Sequence, residues 1–329
     1  MGQTPAEILD EAACGRFPET DEGDDRGRAM IDSPAGPTDT EVAAAAALAG
    51  AEIVRARYGR RHSRIDKGAG DFATDVDVAA EEAILDVIRG ARPGDAVHGE
   101  EGGRRGAVDA VREWLVDPLC GTLNYATGSH LVAVNVALRD GPAAVADPFS
   151  GEVFLTDGVT AWVRCDADAD GDTQGQTGVR DRRVADGHAS GPVARRRPVG
   201  EERLAPTADT RLVDVNLDPP FPGAPAFRAV DLLAHPGFVE HFRPRVVSTT
   251  LALAWVAAGR RAAYVTDGGD LSGSVHFAAG IALCRAAGCV VTGVDGGPVG
   301  PEGRGLVVAA DAETHGLLLS LIRGRGRSG

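Results

Sequence analysis

The chain has 329 residues, a formal net charge of −14 and a sequence pI near 5.0. Nonspecific binding to nucleic acid or to an anionic membrane needs a clustered basic surface, so this charge balance argues against both kinds of partner. The length predicts one large domain or two small ones. The sequence has neither an apolar run of about 20 residues nor a signal-like N-terminus, which predicts a cytoplasmic protein.

The first predicted elements are a leader and two helices. Residues 1–37 are rich in Gly, Asp, Glu and Pro and are predicted to be a disordered leader. Thr38 and Glu41 form a capping-box pattern before an Ala-rich helix that continues to Tyr58. A second helix is predicted after Asp77, because apolar residues recur there at intervals of four. These apolar residues are Ala80, Ile84 and Ile88.

Short strand-like runs follow and predict an antiparallel sheet. They are residues 114–116, 131–138, 143–146, 152–155 and 160–163. Residues 164–205 then lose all periodicity and are rich in Asp, Gly, Gln and Arg, which predicts a flexible insertion.

Strands and helices alternate in the last third of the chain, a pattern typical of sheets covered by helices. The predicted strands are residues 211–215, 262–266, 289–292 and 305–309, and the predicted helices are 248–258, 275–287 and 311–322. The chain is therefore predicted to have an N-terminal metal-binding half (38–163), a C-terminal half (206–323) and a tail (324–329).

Four acidic positions stand out by their local context. Asp77 lies at the start of a helix, Glu100 and Glu101 lie in a Gly-Glu-Glu-Gly segment, and Asp117 ends an apolar strand. Carboxylates at the ends of elements can converge on a hard cation such as Mg²⁺, which prefers oxygen ligands. Each position also has a purely structural interpretation, as a helix cap, an exposed turn or a strand-end turn.

The order and spacing of these positions resemble the inositol monophosphatase family. The most specific match is DPLCGTLN at residues 117–124, and further matches are Lys67, residues 71–77 and residues 275–280. The resemblance covers roughly residues 38–323, without the insertion. It implies an α/β fold, a layered α-β-α-β-α sandwich, that binds two or three Mg²⁺ ions. It also implies in-line attack of water on a small phosphomonoester, and homodimers are common in the family.

The resemblance implies ligands for the metals. Glu100 and Asp117 would hold the first metal together with the backbone carbonyl of Leu119. Asp117 would also face the second metal, and Asp77 would hold a third, weaker ion.

The resemblance also implies residues that act on the substrate. Thr122 would orient the attacking water together with Glu100. Gly121 and Thr122 would open a helix whose amides receive phosphate. Lys67 is a candidate to meet the anionic substrate, although a solvated loop lysine is an equally good interpretation.

The second metal position departs from the family pattern. Cys120 and His276 stand where the family has two aspartates, and Thr266 lies near the position of a common substrate-binding acid. Asp117, Cys120 and His276 together are the ligand types of an open catalytic zinc site. The predicted cofactor is therefore Mg²⁺, with Zn²⁺ or Mn²⁺ as the alternative at the Cys120–His276 position.

Three interpretations of this change stay open. The chain is a metal-dependent phosphatase with altered metals, or an enzyme in which His276 activates Cys120 as a nucleophile for group transfer, or a binding protein whose site has decayed. Decay more often leaves Ala, Gly, Ser or Asn, so the pairing of Cys with His favours retained chemistry. The sequence does not decide between an inositol phosphate, a sugar phosphate or a similar substrate.

Overall fold

The computed structural model describes residues 36–68, 71–165, 200–217, 227–267, 269, 271, 273–300 and 305–324. The predicted leader up to residue 35, residues 166–199 of the predicted insertion and the predicted tail from residue 325 lie outside this range, and the boundaries of these segments stay predictions. None of the helices in the described residues has the length and apolar character needed to cross a lipid bilayer.

The described residues form eight helices. They are α1 (Asp39–Arg57), α2 (Asp75–Ala91), α3 (Thr122–Ala126), α4 (Val230–Leu233), α5 (Pro236–His241), α6 (Leu251–Ala257), α7 (Val275–Ala287) and α8 (Ala312–Gly324).

The first ten strands lie in or before the predicted insertion. They are β1 (Arg64–Gly68), β2 (Asp71–Thr74), β3 (Ala96–Gly99), β4 (Gly103–Arg105), β5 (Glu113–Cys120), β6 (Ala133–Leu138), β7 (Ala143–Ala146), β8 (Glu152–Thr156), β9 (Ala161–Cys165) and β10 (Glu201–Arg203). The remaining strands are β11 (Leu212–Asn216), β12 (Arg243–Val246), β13 (Ala263–Thr266), β14 (Val290–Thr292) and β15 (Val307–Ala309).

Both long N-terminal helices begin at a capping box. Thr38 and Glu41 exchange the predicted pair of hydrogen bonds at the start of α1. The second helix was expected to follow Asp77, and this was wrong, because Thr74 is its N-cap and Asp77 is the acidic residue three positions later in a second capping box. The helix therefore includes Asp77 in its first turn.

The larger sheet has the strand order β10-β9-β8-β7-β6-β5-β3-β4. Its neighbouring strands are antiparallel, as predicted, except that β3 and β5 are parallel. β1 and β2 form a separate antiparallel pair. The sequence did not predict β1 to β4, nor the parallel pairing that later positions the site.

The smaller sheet has the order β12-β11-β13-β15-β14. β11 is parallel to both β12 and β13, whereas β15 is antiparallel to β13 and β14. The carboxyl ends of the three parallel strands therefore lie on one edge, and the chain leaves β12 there toward α6.

Alternation along the strands divides the interior into three apolar layers. In β6, Val134 and Val136 pack with α1 and α2, whereas Ala133 and Ala137 point to the layer that contains α6 and α7. In β13, Tyr264 joins this middle layer and Val265 packs on the other side, with α4, α5 and α8. Helices thus cover both outer faces and separate the two sheets, which confirms the predicted α-β-α-β-α sandwich.

Candidate active site

A bulge in β5 shapes the centre of the candidate site. The register passes from Asp117 opposite Asn135 to Cys120 opposite Ala133, so β5 has one residue more than β6 between the two pairs. Without this extra residue, side chains three positions apart would point to opposite faces of the sheet. The bulge brings Asp117 and Cys120 together with His276 around one small space between their side chains, the pocket of the candidate site. It also accommodates Pro118, which has no backbone N–H for the ladder.

Glu100 reaches the same pocket from the neighbouring strand. β3 and β5 are parallel, and the backbone N–H of Glu100 donates to the carbonyl of Val116 at 3.1 Å just after β3 ends. This register places Glu100 beside Asp117. Burial, reinforced by the charge of Asp117, raises the pKa of Glu100 to about 8 against the opposing effects of His276 and Lys67.

His276 enters the pocket from the first turn of α7. Its Nδ1 lies 2.8 Å from Oδ2 of Asp117 and 3.8 Å from Oε2 of Glu100. Burial acts to lower the pKa of His276, but Asp117 and then Glu100 outweigh it and raise the pKa to about 9. Burial acts in turn to raise the pKa of Asp117, and His276 holds it below its usual value. The two side chains therefore form an ion pair at neutral pH.

Cys120 completes a group of three side chains of types that can hold a metal ion. A carboxylate oxygen of Asp117, Sγ of Cys120 and a ring nitrogen of His276 lie within 4.8 Å of one another. The backbone N–H of Thr250 donates to Sγ at 3.3 Å. Burial and the charge of Asp117 raise the pKa of Cys120 well above its usual value, so without a bound cation the thiol is neutral. A carboxylate, a thiol and an imidazole at this separation suit an open zinc site.

Asp77 connects α2 to the segment that follows β5. Its Oδ2 accepts hydrogen bonds from the backbone N–H and the hydroxyl of Thr74, at 2.8 and 2.6 Å. Its Oδ1 accepts one from the hydroxyl of Thr122, at 2.8 Å. Burial raises the pKa of Asp77 against the effect of these hydrogen bonds. Asp77 is thus a helix-capping residue, the structural interpretation given above, and it also fixes the hydroxyl of Thr122.

Gly121 allows the chain to turn sharply from β5 into α3. Its φ is +104°, and a Cβ at this position would lie 2.9 Å from the carbonyl oxygen of Leu131. The turn leaves the carbonyl of Leu119 3.2 Å from the hydroxyl of Thr122. The helix that the resemblance implied after Gly121 is present and has five residues.

Lys67 supplies a cation at the edge of the pocket. Its Nζ lies 2.8 Å from Oε1 of Glu100 and 2.7 Å from Oε1 of Glu101. Burial acts to lower the pKa of Lys67, but the two carboxylates outweigh it and raise the pKa. Lys67 lies in a strand, β1, rather than in a loop, and although the residue is exposed it is ion-paired with both glutamates. The Gly-Glu-Glu-Gly segment is not a freely exposed turn.

The structure places the residues singled out from the sequence in one connected group. Glu100, Asp117, Cys120 and His276 surround the pocket, and Lys67 contacts Glu100. Leu119, Gly121 and Thr122 line the exit from β5, and Asp77 joins through Thr122.

The sequence did not predict the contacts of three other residues in this neighbourhood. Thr266 does not offer a free hydroxyl, because this group donates to the carbonyl of Asp267 and accepts from the N–H of Leu306. The contact of Thr250 with Cys120 has no signal in the sequence. A buried glutamate, Glu81, could have been noticed, because it lies four residues after Asp77 on the same helix.

Comparison with known proteins agrees with this geometry. The model of the inositol monophosphatase family matches residues 38–327. The inositol-1-monophosphatase ImpA of Mycolicibacterium smegmatis is 31% identical over 82% of this chain and 86% of its own length. The probable inositol 1-monophosphatase ImpA of Mycobacterium tuberculosis is 32% identical, over 80% of this chain and 86% of its own.

A solved structure shares the fold. The extragenic suppressor protein suhB of Bartonella henselae superposes with a TM-score of 0.63 and 24% identity, over 88% of this chain and 98% of that one. The family match extends over far more than half of the residues. The chain therefore belongs to the inositol monophosphatase family, a family of phosphatases that act on small phosphorylated metabolites.

Proposed function

We propose that this phosphatase hydrolyses an inositol phosphate or a sugar phosphate with a second metal position altered to prefer Zn²⁺ over Mg²⁺. The observation that carries the proposal is the convergence of Asp117, Cys120 and His276 within 4.8 Å. Thiolate and imidazole favour Zn²⁺, whereas Mg²⁺ and Mn²⁺ prefer oxygen ligands, so Zn²⁺ fits this position better than the alternative Mn²⁺. The names of the two mycobacterial relatives support inositol phosphates as the first substrates to try.

The donor groups fit two kinds of cation. Glu100, Asp117 and the carbonyl of Leu119 would hold Mg²⁺ at the first position, while Asp117, Cys120 and His276 would hold the softer ion. Bound cations would supply positive charge that offsets the charge of the transferred phosphoryl group. Asp77 already has hydrogen bonds to both carboxylate oxygens, so its main proposed role is to fix Thr122, and its role as a ligand of a third ion stays a prediction.

The side chains around the pocket would orient water and substrate. Thr122 has one hydroxyl proton and donates it toward Asp77, so its oxygen can accept a hydrogen bond from an attacking water. A bound cation would keep Glu100 ionised despite its raised pKa, and Glu100 would then accept from the same water and direct its lone pair at phosphorus. Glu100 and Glu101 offset the charge of Lys67, so Lys67 would attract an anionic substrate once a bound cation takes Glu100 as its ligand.

The observations do not favour Cys120 as a nucleophile. Nucleophilic attack requires the thiolate, but burial and the nearby Asp117 raise the pKa of Cys120. With its pKa raised to about 9, His276 already carries a proton at neutral pH, so it cannot take one from the thiol.

A metal screen tests the proposal. Release of phosphate from inositol 1-phosphate and from fructose 1,6-bisphosphate is measured with Mg²⁺, Mn²⁺ or Zn²⁺, for the wild type and for Cys120→Asp/His276→Asp. We expect the wild type to be most active with Zn²⁺, and the double variant, which has an all-oxygen site, to be most active with Mg²⁺ or Mn²⁺. Cys165→Ser, which changes a thiol of β9, is the control and should keep the wild-type preference.

Other outcomes would contradict the proposal. Equal metal preference in the wild type and the double variant would show that Cys120 and His276 do not select the ion. Loss of turnover on alkylation of Cys120 without loss on chelation would support the nucleophile instead. Binding of the phosphate without turnover under any metal would support a binding protein.

We also include a homodimer in the proposal, which sedimentation velocity would check.

A further inference from the structure

A second buried carboxylate on α2 points to the loop that carries Glu100. Glu81 is 1% exposed, and its Oε2 and Oε1 accept hydrogen bonds from the backbone N–H groups of Glu101 and Gly102, at 2.8 and 2.7 Å. We infer that Glu81 is a positioning residue that holds the loop after β3 so that Glu100 lies beside Asp117. This inference deepens the proposed function and rests on it for its catalytic consequence.

Two carboxylates on α2 are spaced along the helix much as β3 and β5 are spaced in the sheet, and each accepts hydrogen bonds from the segment after one of these strands. Asp77 binds Thr122 after β5, and Glu81, four residues further along the helix, binds the loop after the adjacent parallel strand β3. Four helical residues rise about 6 Å, close to the roughly 4.8 Å between neighbouring strands. One face of a rigid helix thus fixes the carboxyl ends of both strands that deliver Glu100 and Asp117.

The loop backbone approaches the Glu81 carboxylate so closely that a side chain would not fit at its start. A Cβ at position 99 would overlap the carboxylate of Glu81. Gly99 is therefore required by this contact rather than by an unusual φ. Hydrogen bonds from backbone N–H groups to an ionised carboxylate are short and strong, and losing one in a buried place leaves an unpaired donor.

Glu81 acts through Glu100 and not on the substrate. Both of its oxygens are occupied by backbone donors of the loop, one and two residues beyond Glu100. Partners behind a metal ligand orient that ligand, and replacing them typically weakens metal binding about 10- to 100-fold. Glu81 should therefore affect the affinity for the first cation and the rate, without setting the choice of substrate.

The test compares Glu81→Gln with Asp86→Asn in the full-length chain. Gln keeps the shape of the side chain but presents an NH₂ group to one of the two N–H donors, whereas Asp86 lies on the exposed face of the same helix. Mn²⁺ prefers oxygen ligands as Mg²⁺ does, so it serves as the probe of the first position. We expect Mn²⁺, titrated calorimetrically, to bind Glu81→Gln about 10- to 100-fold more weakly than the wild type, and kcat to fall with little change in KM. Asp86→Asn should match the wild type within about twofold.

Amide hydrogen exchange gives a readout that does not depend on turnover. In Glu81→Gln the amides of residues 100–102 should exchange faster, whereas those of Asp86→Asn should be unchanged. A lower melting temperature with unchanged Mn²⁺ affinity would mean that Glu81 is merely structural, and would overturn the inference. If Glu81→Gln does not fold, Glu81→Asp replaces it, because this variant keeps the charge but withdraws the carboxylate by one methylene, and its Mn²⁺ affinity should still fall.

These measurements separate the inference from the proposed function. A wild type that binds Mn²⁺ but hydrolyses no phosphomonoester would refute the proposed function, and the Mn²⁺ affinity of Glu81→Gln would still decide the role of Glu81. A wild type that binds no Mn²⁺ would also refute the proposed function. Amide exchange would then decide, with faster exchange at residues 100–102 supporting the role of Glu81 and unchanged exchange overturning it.

Discussion

The carboxylates of the site and the Cys120–His276 pair are held in place in different ways. Asp77, Glu100 and Asp117 all come from the N-terminal half, and they are fixed by hydrogen bonds and strand register within that half. His276 instead comes from α7 in the C-terminal half, and Cys120 is contacted by the backbone of Thr250 from the same half.

This difference explains why position 276 is easier to change than the positions of the carboxylates. The carboxylates belong to a network of caps, strand ends and a bulge, so replacing one of them disturbs several backbone contacts. His276 contacts the network chiefly through one ion pair, with Asp117, and is 41% exposed. A change at this position alters the chemistry of the pocket with little cost to the fold.

Asp117→Asn should have the largest effect, because Asp117 belongs to both groups. Removing its charge would weaken the ligand that we propose for both metal positions, and it leaves His276 without its counter-ion. We expect turnover with the preferred metal to fall by more than the roughly 100-fold upper cost of changing a residue behind a ligand. The exposed turn residue Asp140 provides the control, Asp140→Asn, which should keep its activity. Turnover within tenfold of the wild type would contradict the proposal that Asp117 acts both with the other carboxylates and with the Cys120–His276 pair.

Thr122→Val should have an intermediate effect, which lowers the rate but leaves the choice of metal unchanged. The variant removes the hydroxyl that Asp77 fixes and leaves Oδ1 of Asp77 without this donor, which costs about 1–3 kcal/mol of stability. We expect kcat to fall about 10- to 100-fold, while the order of preference among Mg²⁺, Mn²⁺ and Zn²⁺ stays the same. Thr122→Ser should recover most of the rate, and Thr127→Val, at an exposed hydroxyl of the same segment, serves as control. A changed metal preference would show that Thr122 and the carboxylates also influence the choice of metal, which we assign to Cys120 and His276.

His276→Gln should have the smallest effect, on stability against pH in the presence of a chelator. The pKa of His276 is about 9 in the folded protein against an ordinary value of 6.5, so its ion pair stabilises the fold fully below pH 6.5 and loses this contribution as the pH rises through about 9. The difference in melting temperature between wild type and variant should therefore be largest near pH 6.5 and shrink by pH 10. A difference that stays constant or grows over this range would mean that the imidazole is not charged in the fold.

The local part of this picture follows from residues that are neighbours in the chain. The capping box at Thr38 and Glu41 predicted the first helix, and the run from Val275 to Ala287 was predicted with its observed ends. The second helix was placed too late, although Thr74 and Asp77 have capping-box spacing, because the acid is Asp rather than the usual Glu or Gln. The strand predicted at 114–116 continues through Pro118, since a bulge tolerates a residue that cannot donate.

The sequence by itself determined the types of chemical group available, the caps and most of the helices and strands, because these depend on neighbouring residues. Only the tertiary structure decided which groups meet. The 2.8 Å contact between Asp117 and His276 joins residues 159 positions apart. The hydrogen bonds of Glu81 to the loop of Glu100 depend on the parallel pairing of β3 with β5. Such distances are set by how helices and sheets pack over their whole faces, and no short stretch of sequence contains that information.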